Sequence, residues 1–225
     1  MGLDMYLNKM PRYKNATAKD ISILESYFDW KEKKKEGKYK GTLEKWCGVK
    51  YTNVPKGDIR KFYEPFYAIK YSDWDTEKKY GWGRIMEEVG YWRKANEIHN
   101  WFVENVQDGE DDCCYHNEVT KETLEELLDI CQTVLNSCEL ITGKVENGYS
   151  FDENGNRVYN YIDGTVVKDP SVAQELLPTQ SGFFFGGTSY DEWYVADIKD
   201  TIDIITKVLK TTDFDKEMIY YVSSW

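Results

Sequence analysis

The sequence predicts an α+β fold. It reads as a single domain over residues 1–225, in which the N- and C-terminal strands share a mainly antiparallel sheet packed with about three main helices and carrying an inserted β-hairpin. Three observations lead there. Leu3, Met5 and Leu7 alternate with Asp4, Tyr6 and Asn8, the period-2 pattern of a strand with one buried face. Three long stretches, 84–106, 120–138 and 190–209, place apolar residues at helical spacing. Between the last two, Asp152-Glu-Asn-Gly-Asn separates Tyr149–Phe151 from Val158–Ile162, and Asn154-Gly155 suits a tight hairpin turn.

Taken in order, the opening strand is followed by a segment, 17–30, where Ile21, Leu24 and Phe28 have helical spacing. Residues 31–41 are a lysine-rich run ended by glycines, read as a charged, solvated loop rather than a basic patch for an anionic partner. From 41 to 82, apolar pieces broken by Pro55, Gly57, Pro65 and Gly81 have no clean period and read as irregular strands and loops. An acidic turn at 107–112 links the first two long helices, and the hairpin reads as an insertion at 145–168. A short helix at 170–177, a glycine- and aromatic-rich loop at 178–189 and a closing strand at 218–222 complete the chain.

Two of the long helices read as scaffold. In 120–138, Leu124, Leu127, Leu128, Cys131, Val134, Leu135 and Cys138 share one arc, where a free thiol behaves as a small hydrophobe. In the last helix Ile198, Ile202, Ile205 and Leu209 form the stripe, with Asp197, Asp200, Asp203 and Lys207 expected to point away. The 84–106 helix departs from this pattern. Its apolar arc, Ile85, Val89, Trp92, Ala95, Val103 and Val106, also holds Glu88, Asn96 and His99, with Arg93 at its edge. Each polar group buried without a partner costs on the order of 1–3 kcal/mol, so protein, water or a ligand has to satisfy it. Glu88 and His99 lie ~16 Å apart along a helix axis at ~1.5 Å per residue, too far to form a pair. A docking network and a ligand site both fit these residues.

The 178–189 loop offers a second half of such a site. Gln180, Ser181, Phe183 and Thr188 lie where Gly186-Gly187 feeds a helix start, and Thr188 and Asp191 have capping-box spacing. Helix N-termini attract phosphate and carboxylate groups, although a structural cap explains the same residues. Of three consecutive phenylalanines, Phe183, Phe184 and Phe185, at least one is expected near the surface. No phosphate-loop lysine is present, and Gly81-Trp-Gly83 is only a fragment of a dinucleotide fingerprint.

Composition excludes several classes. The chain carries 29 Lys+Arg against 40 Asp+Glu, a net charge of −11, which argues against broad nucleic-acid binding or attraction to anionic lipid. With 41% hydrophobic residues and 8 Trp, 18 Tyr and 9 Phe it can bury a core. No signal peptide or membrane span is expected, and five cysteines without framework spacing fit a reducing compartment. Asp108, Glu110, Asp111, Asp112, Cys113, Cys114 and His116 lack the spacing of a zinc clip or a calcium loop, so neither metal nor cofactor is expected.

Met-Gly-Leu-Asp-Met-Tyr-Leu at the start, the block beginning Glu88-Val-Gly-Tyr-Trp-Arg-Lys-Ala-Asn-Glu-Ile-His-Asn-Trp-Phe-Val and the block Glu175-Leu-Leu-Pro-Thr-Gln-Ser-Gly-Phe-Phe-Phe-Gly-Gly-Thr-Ser-Tyr-Asp-Glu carry a resemblance. Together, over about half the chain, they resemble a family of proteins encoded by bacterial phages and prophages. No catalytic or binding residue is carried over from it. The resemblance implies a small accessory protein in the host cytoplasm, with counter-defence as a common role in that setting.

Three functions are therefore weighed. The first is a non-enzymatic binder that sequesters a small anionic or nucleotide-like ligand through Glu88, Trp92, Arg93, Asn96 and His99 together with Gln180, Ser181, Phe183 and Thr188. The second is an acidic inhibitor of a host protein, with an exposed aromatic patch rimmed by carboxylates. The third is a small nucleotide-modifying enzyme using His99 or Glu88. Self-association into a homo-oligomer is left open.

Overall fold

A computed structural model of the chain describes residues 2–67, 85–113, 116–182 and 184–225. Expectations that fall on 68–84, on Cys114 or on Phe183, including the Gly81-Trp-Gly83 fragment, lie outside these described residues. The strands are β1 (Asp4–Pro11), β2 (Glu87–Arg93), β3 (Asn117–Val119), β4 (Leu140–Phe151), β5 (Arg157–Val167) and β6 (Glu217–Ser224). The helices are α1 (Ala18–Lys35), α2 (Leu43–Cys47), α3 (Asp58–Tyr67), α4 (Asn96–Val106), α5 (Lys121–Ser137), α6 (Ser171–Leu176) and α7 (Glu192–Thr211). This is the expected α+β fold with antiparallel sheets.

The main sheet has the order β2-β1-β6-β3. The terminal strands β1 and β6 sit at its centre and pair along their whole length, from Asp4 opposite Ser224 to Pro11 opposite Glu217. Met218, Ile219, Tyr220 and Tyr221 are all buried. A strand buried at consecutive positions is covered on both faces, and the core divides accordingly. Leu3, Met5, Leu7, Ile219 and Tyr221 pack with α4, α5 and α7, whereas Met10, Met218 and Tyr220 pack with α1, α2 and α3. Helices therefore cover both sides of the sheet.

Local chemistry explains several boundaries. Thr17 caps α1 in a reciprocal capping box with Asp20, and Lys33, Lys34 and Lys35 sit in its last turn, where cations oppose the negative end of the helix dipole. The charged loop expected at 31–41 is thus corrected: its first five residues extend α1. The stretch from 41 to 67, expected to be irregular, contains α2, a short 3₁₀ turn at Tyr51–Asn53 and α3. The α7 cap is Asp191, which accepts from the backbone N–H groups of Trp193 and Tyr194, and Thr188 takes no part in it.

The largest correction concerns 84–106. Its first part is the strand β2, paired with β1 from Asp4 opposite Arg93, and only Asn96–Val106 is helical. Buried Gly90 and Trp92 alternate with exposed Tyr91 and Arg93, so period 2 governs here, and a register shift beyond Gly90 leaves Glu88 exposed as well. A Cβ at Gly90 would stand 2.6 Å from Cγ2 of Ile204, which shows how closely α7 crosses this strand. Lys94, at φ +65°, turns the chain from β2 into α4.

Strands β4 and β5 form a separate two-stranded ribbon, longer than expected, turning through Asp152 and Gly155. Its base is tied to the start of α7, where the Val167 N–H donates to the Tyr190 carbonyl at 2.9 Å. Beyond that base both faces are open: Tyr149, Phe151, Val158, Tyr159, Tyr161 and Ile162 are all exposed. No helix among the described residues is long and apolar enough to cross a membrane.

Candidate functional site

Two helix starts and one loop converge on a pocket of about 390 Å³. The end of β2 and the first turn of α4 supply Arg93, Lys94, Asn96 and Glu97. The loop before α7 supplies Thr179, Gly186, Gly187 and Ser189, and α7 supplies Trp193, Tyr194 and Asp197 beside its cap Asp191. Glu146 of the hairpin completes the lining.

Asn96 holds the loop against the helix. Its Oδ1 accepts the Gln180 backbone N–H at 2.7 Å, and its Nδ2 donates to the carbonyls of Gly187 at 2.8 Å and Phe185 at 3.3 Å. The loop can lie this close because residue 186 is glycine: at φ +102°, a Cβ there would come within 3.1 Å of the Lys94 carbonyl. Asn96 is 2% exposed and all of these bonds are internal, so its role is to build the pocket wall.

Glu97 is less well satisfied, its carboxylate being held only by its own backbone N–H among the described residues. It is 2% exposed, lines the pocket, and its Oε1 has no hydrogen bond. Burial, then the nearby negative charges of Asp197 and Asp191, push its pKa well above the ordinary carboxylate range. Asp197 is pushed up to about 7 by burial and by Asp200 and Asp191. The inner part of the pocket therefore holds two carboxyl groups that keep protons unusually well. Towards solvent lie Arg93, with 61% of its side chain exposed and a long contact to Asp4 of 3.9 Å, and Trp193, 72% exposed.

Of the nine residues singled out from sequence, the structure brings Arg93 and Asn96 to this pocket. Glu88 is exposed on β2 rather than buried, because a strand and not a helix places it. Trp92 is in the core, its indole N–H donating to Thr201 Oγ1 at 2.9 Å and tying β2 to α7. Gln180 reaches Asn96 only through its backbone, Ser181 and Thr188 are exposed, and Phe183 is outside the described residues. Phe184 is 50% exposed and Phe185 is buried, as consecutive phenylalanines require.

His99 belongs to a different network. It is fully buried, with Nδ1 2.7 Å from the Tyr221 hydroxyl and Nε2 3.0 Å from Asp111 Oδ2. Burial lowers its pKa, outweighing the opposing effect of Asp111. In the neutral ring Nε2–H donates to the carboxylate, which can only accept, and Nδ1 accepts from the Tyr221 O–H. Asp111 also accepts from the Trp225 indole at 3.2 Å, and Asp112 accepts from Gln107 and Asn117. Two carboxylates of the acidic turn thus face inward and brace α4 against β6 and β3. Among the described residues no cluster of three metal-ligating side chains occurs. Cys131 is a buried core thiol with its pKa raised to about 12.

Sequence reasoning missed Glu97, Lys94, Trp193, Tyr194 and Asp197. Asp197 was expected to face solvent with Asp200 and Asp203, and that expectation is corrected, since it lines the pocket. Fold and site together define an α+β protein with a polar pocket built where two helices begin. Compared with protein-family models, with curated proteins and with solved structures, the chain has no match.

Proposed function

We propose that the chain is a non-enzymatic binder that sequesters a small anionic or nucleotide-like molecule in the pocket between α4 and α7. The observation that carries this reading is Glu97 Oε1, a buried oxygen without a partner in a cavity of small-molecule size. A buried acceptor left unpaired costs on the order of 1–3 kcal/mol, a cost that a bound ligand recovers. Arg93 and Lys94 supply the contact for an anionic group, and Trp193 offers a ring face to a planar one. Resemblance to phage and prophage proteins supports a counter-defence role in the host cytoplasm, where the captured molecule is withheld from the host.

The test returns the heat-released filtrate of the purified protein to fresh, dialysed protein. The reading expects a rise in Tm that is reduced in Arg93→Ala and Trp193→Ala proteins. A filtrate that leaves Tm unchanged contradicts it.

A second reading, inhibition of a host protein, draws on the hairpin, whose exposed rings Tyr149, Phe151, Tyr159 and Tyr161 are unusual for a solvated ribbon. Its nucleic-acid-mimic form is disfavoured by Asp111 and Asp112, which are spent on internal hydrogen bonds. This reading expects replacement of the four rings by Ser to abolish function while pocket variants leave it intact.

A further inference from the structure

Glu97 is the most buried acid lining the pocket, Asp191 and Asp197 are half-buried, and Arg93, Lys94 and Glu146 are exposed. Asp197 is close enough to raise the proton affinity of Glu97. A phosphate or carboxylate pushed inward would meet Glu97, Asp197 and Asp191, so an anionic group belongs with Arg93 and Lys94. What the inner end lacks is a donor. Glu97 Oε1 is unpaired, and among the described residues no ion pair joins a Lys, Arg or His side chain to Glu97 or Asp197. A hydrogen-bond donor carrying positive charge satisfies the unpaired oxygen and offsets the charge cluster at once.

Resting on the small-molecule reading above, we propose that the ligand is a zwitterion: a protonated amine seated at Glu97 and Asp197, and a phosphate or carboxylate held at the mouth by Arg93 and Lys94. Amino-sugar phosphates and amino acids both have this chemistry. The titratable groups that interact with Glu97 are Asp197 and Tyr194 on α7, its cap Asp191, and Cys131 on α5, and the other charged groups lining the pocket are Arg93, Lys94 and Glu146. Seating an ammonium there requires carboxylates, whereas burial and mutual repulsion make Glu97 and Asp197 hold their protons more tightly than ordinary carboxyls, Asp197 up to about 7. Binding therefore releases protons, and affinity rises with pH by up to about tenfold per unit for each proton released.

Matched pairs test this by calorimetric titration at pH 6, 7 and 8: glucosamine 6-phosphate against glucose 6-phosphate, 5-aminopentanoate against pentanoate, and CMP against UMP as a nucleotide control. Glucosamine 6-phosphate or 5-aminopentanoate is expected to bind at least tenfold tighter than its amine-free partner. Its affinity is expected to increase from pH 6 to pH 7, before the amine of glucosamine 6-phosphate itself loses its proton, and Glu97→Gln, checked for folding by circular dichroism, is expected to erase the advantage. Whichever pair shows it identifies the source. Equal binding within each pair, or an advantage that survives in Glu97→Gln, overturns the zwitterion while leaving a small-molecule binder. Binding of CMP and UMP alone does the same. No binding by any probe also overturns the zwitterion, and the small-molecule reading falls with it only if the heat-released filtrate is inactive as well.

Discussion

Glu97 and Asp197 are held by the fold in a state that ordinary carboxylates do not favour. Both have native pKa values above the unfolded range of about 4, Asp197 at about 7. A carboxyl whose native pKa is raised contributes stability that is fully present below the unfolded pKa and is lost as pH rises through the native value. Their contribution to stability in denaturant melts is therefore expected to fall from about pH 4 to pH 7, with a flatter profile in Glu97→Gln and Asp197→Asn. Profiles parallel to the wild type would contradict this. His99 behaves in the opposite sense: its lowered pKa adds stability above about pH 6.5 that is lost in acid. Truncating it strands the Tyr221 hydroxyl in the core, so His99→Ala is expected to cost about 2–4 kcal/mol in a urea melt without weakening ligand binding. Of these residues the sequence displayed only His99, a polar residue on an apolar arc. Glu97 gave no such signal, because α4 is buried nearly all round and Asn96, Glu97, Ile98 and His99 are all buried in succession.

Among the elements, β2 shows where periodicity misleads. Ile85, Val89, Trp92 and Ala95 have helical spacing by coincidence, and pairing with β1 decides the outcome. Gly90→Val, which β propensity alone would favour, is expected to destabilise by about 1–3 kcal/mol because the side chain would invade the space of Ile204. The loop before α7 depends on Asn96 in a similar way. Asn96→Ala removes three hydrogen bonds, and hydrogen exchange is expected to show faster exchange at the Gln180 amide and lost protection across the pocket wall, with α5 unchanged. Protection unchanged at Gln180 would rule out the clamp. The outward face of α7 at Asp197 was illegible for a related reason. The end of β2 and the start of α4, far earlier in the chain, line the same pocket, and no pattern within one helix records that.

For the whole molecule, the terminal strands were readable from the alternation of Leu3, Met5 and Leu7 and from the apolar run at 218–222, and they do pair. What the sequence left hidden was that helices flank both sheet faces, since α2 and α3 lie in a stretch without clean periodicity and only α1 showed helical spacing, at Ile21, Leu24 and Phe28. Because β1 and β6 contribute to both core layers, the two layers are expected to melt in one calorimetric transition, and two separated transitions would contradict that coupling. Much of the acidity that first characterises the chain is spread over exposed helix faces, while the charges that the binder proposal uses are the few that line the pocket between α4 and α7. The most direct measurement is mass spectrometry of the small molecule released on heating from purified wild-type and Glu97→Gln proteins. The account predicts one molecule bearing an amine and an anionic group, near one per chain in the wild type and depleted in the variant. A wild-type protein that releases nothing, or equal yields from both proteins, would contradict it.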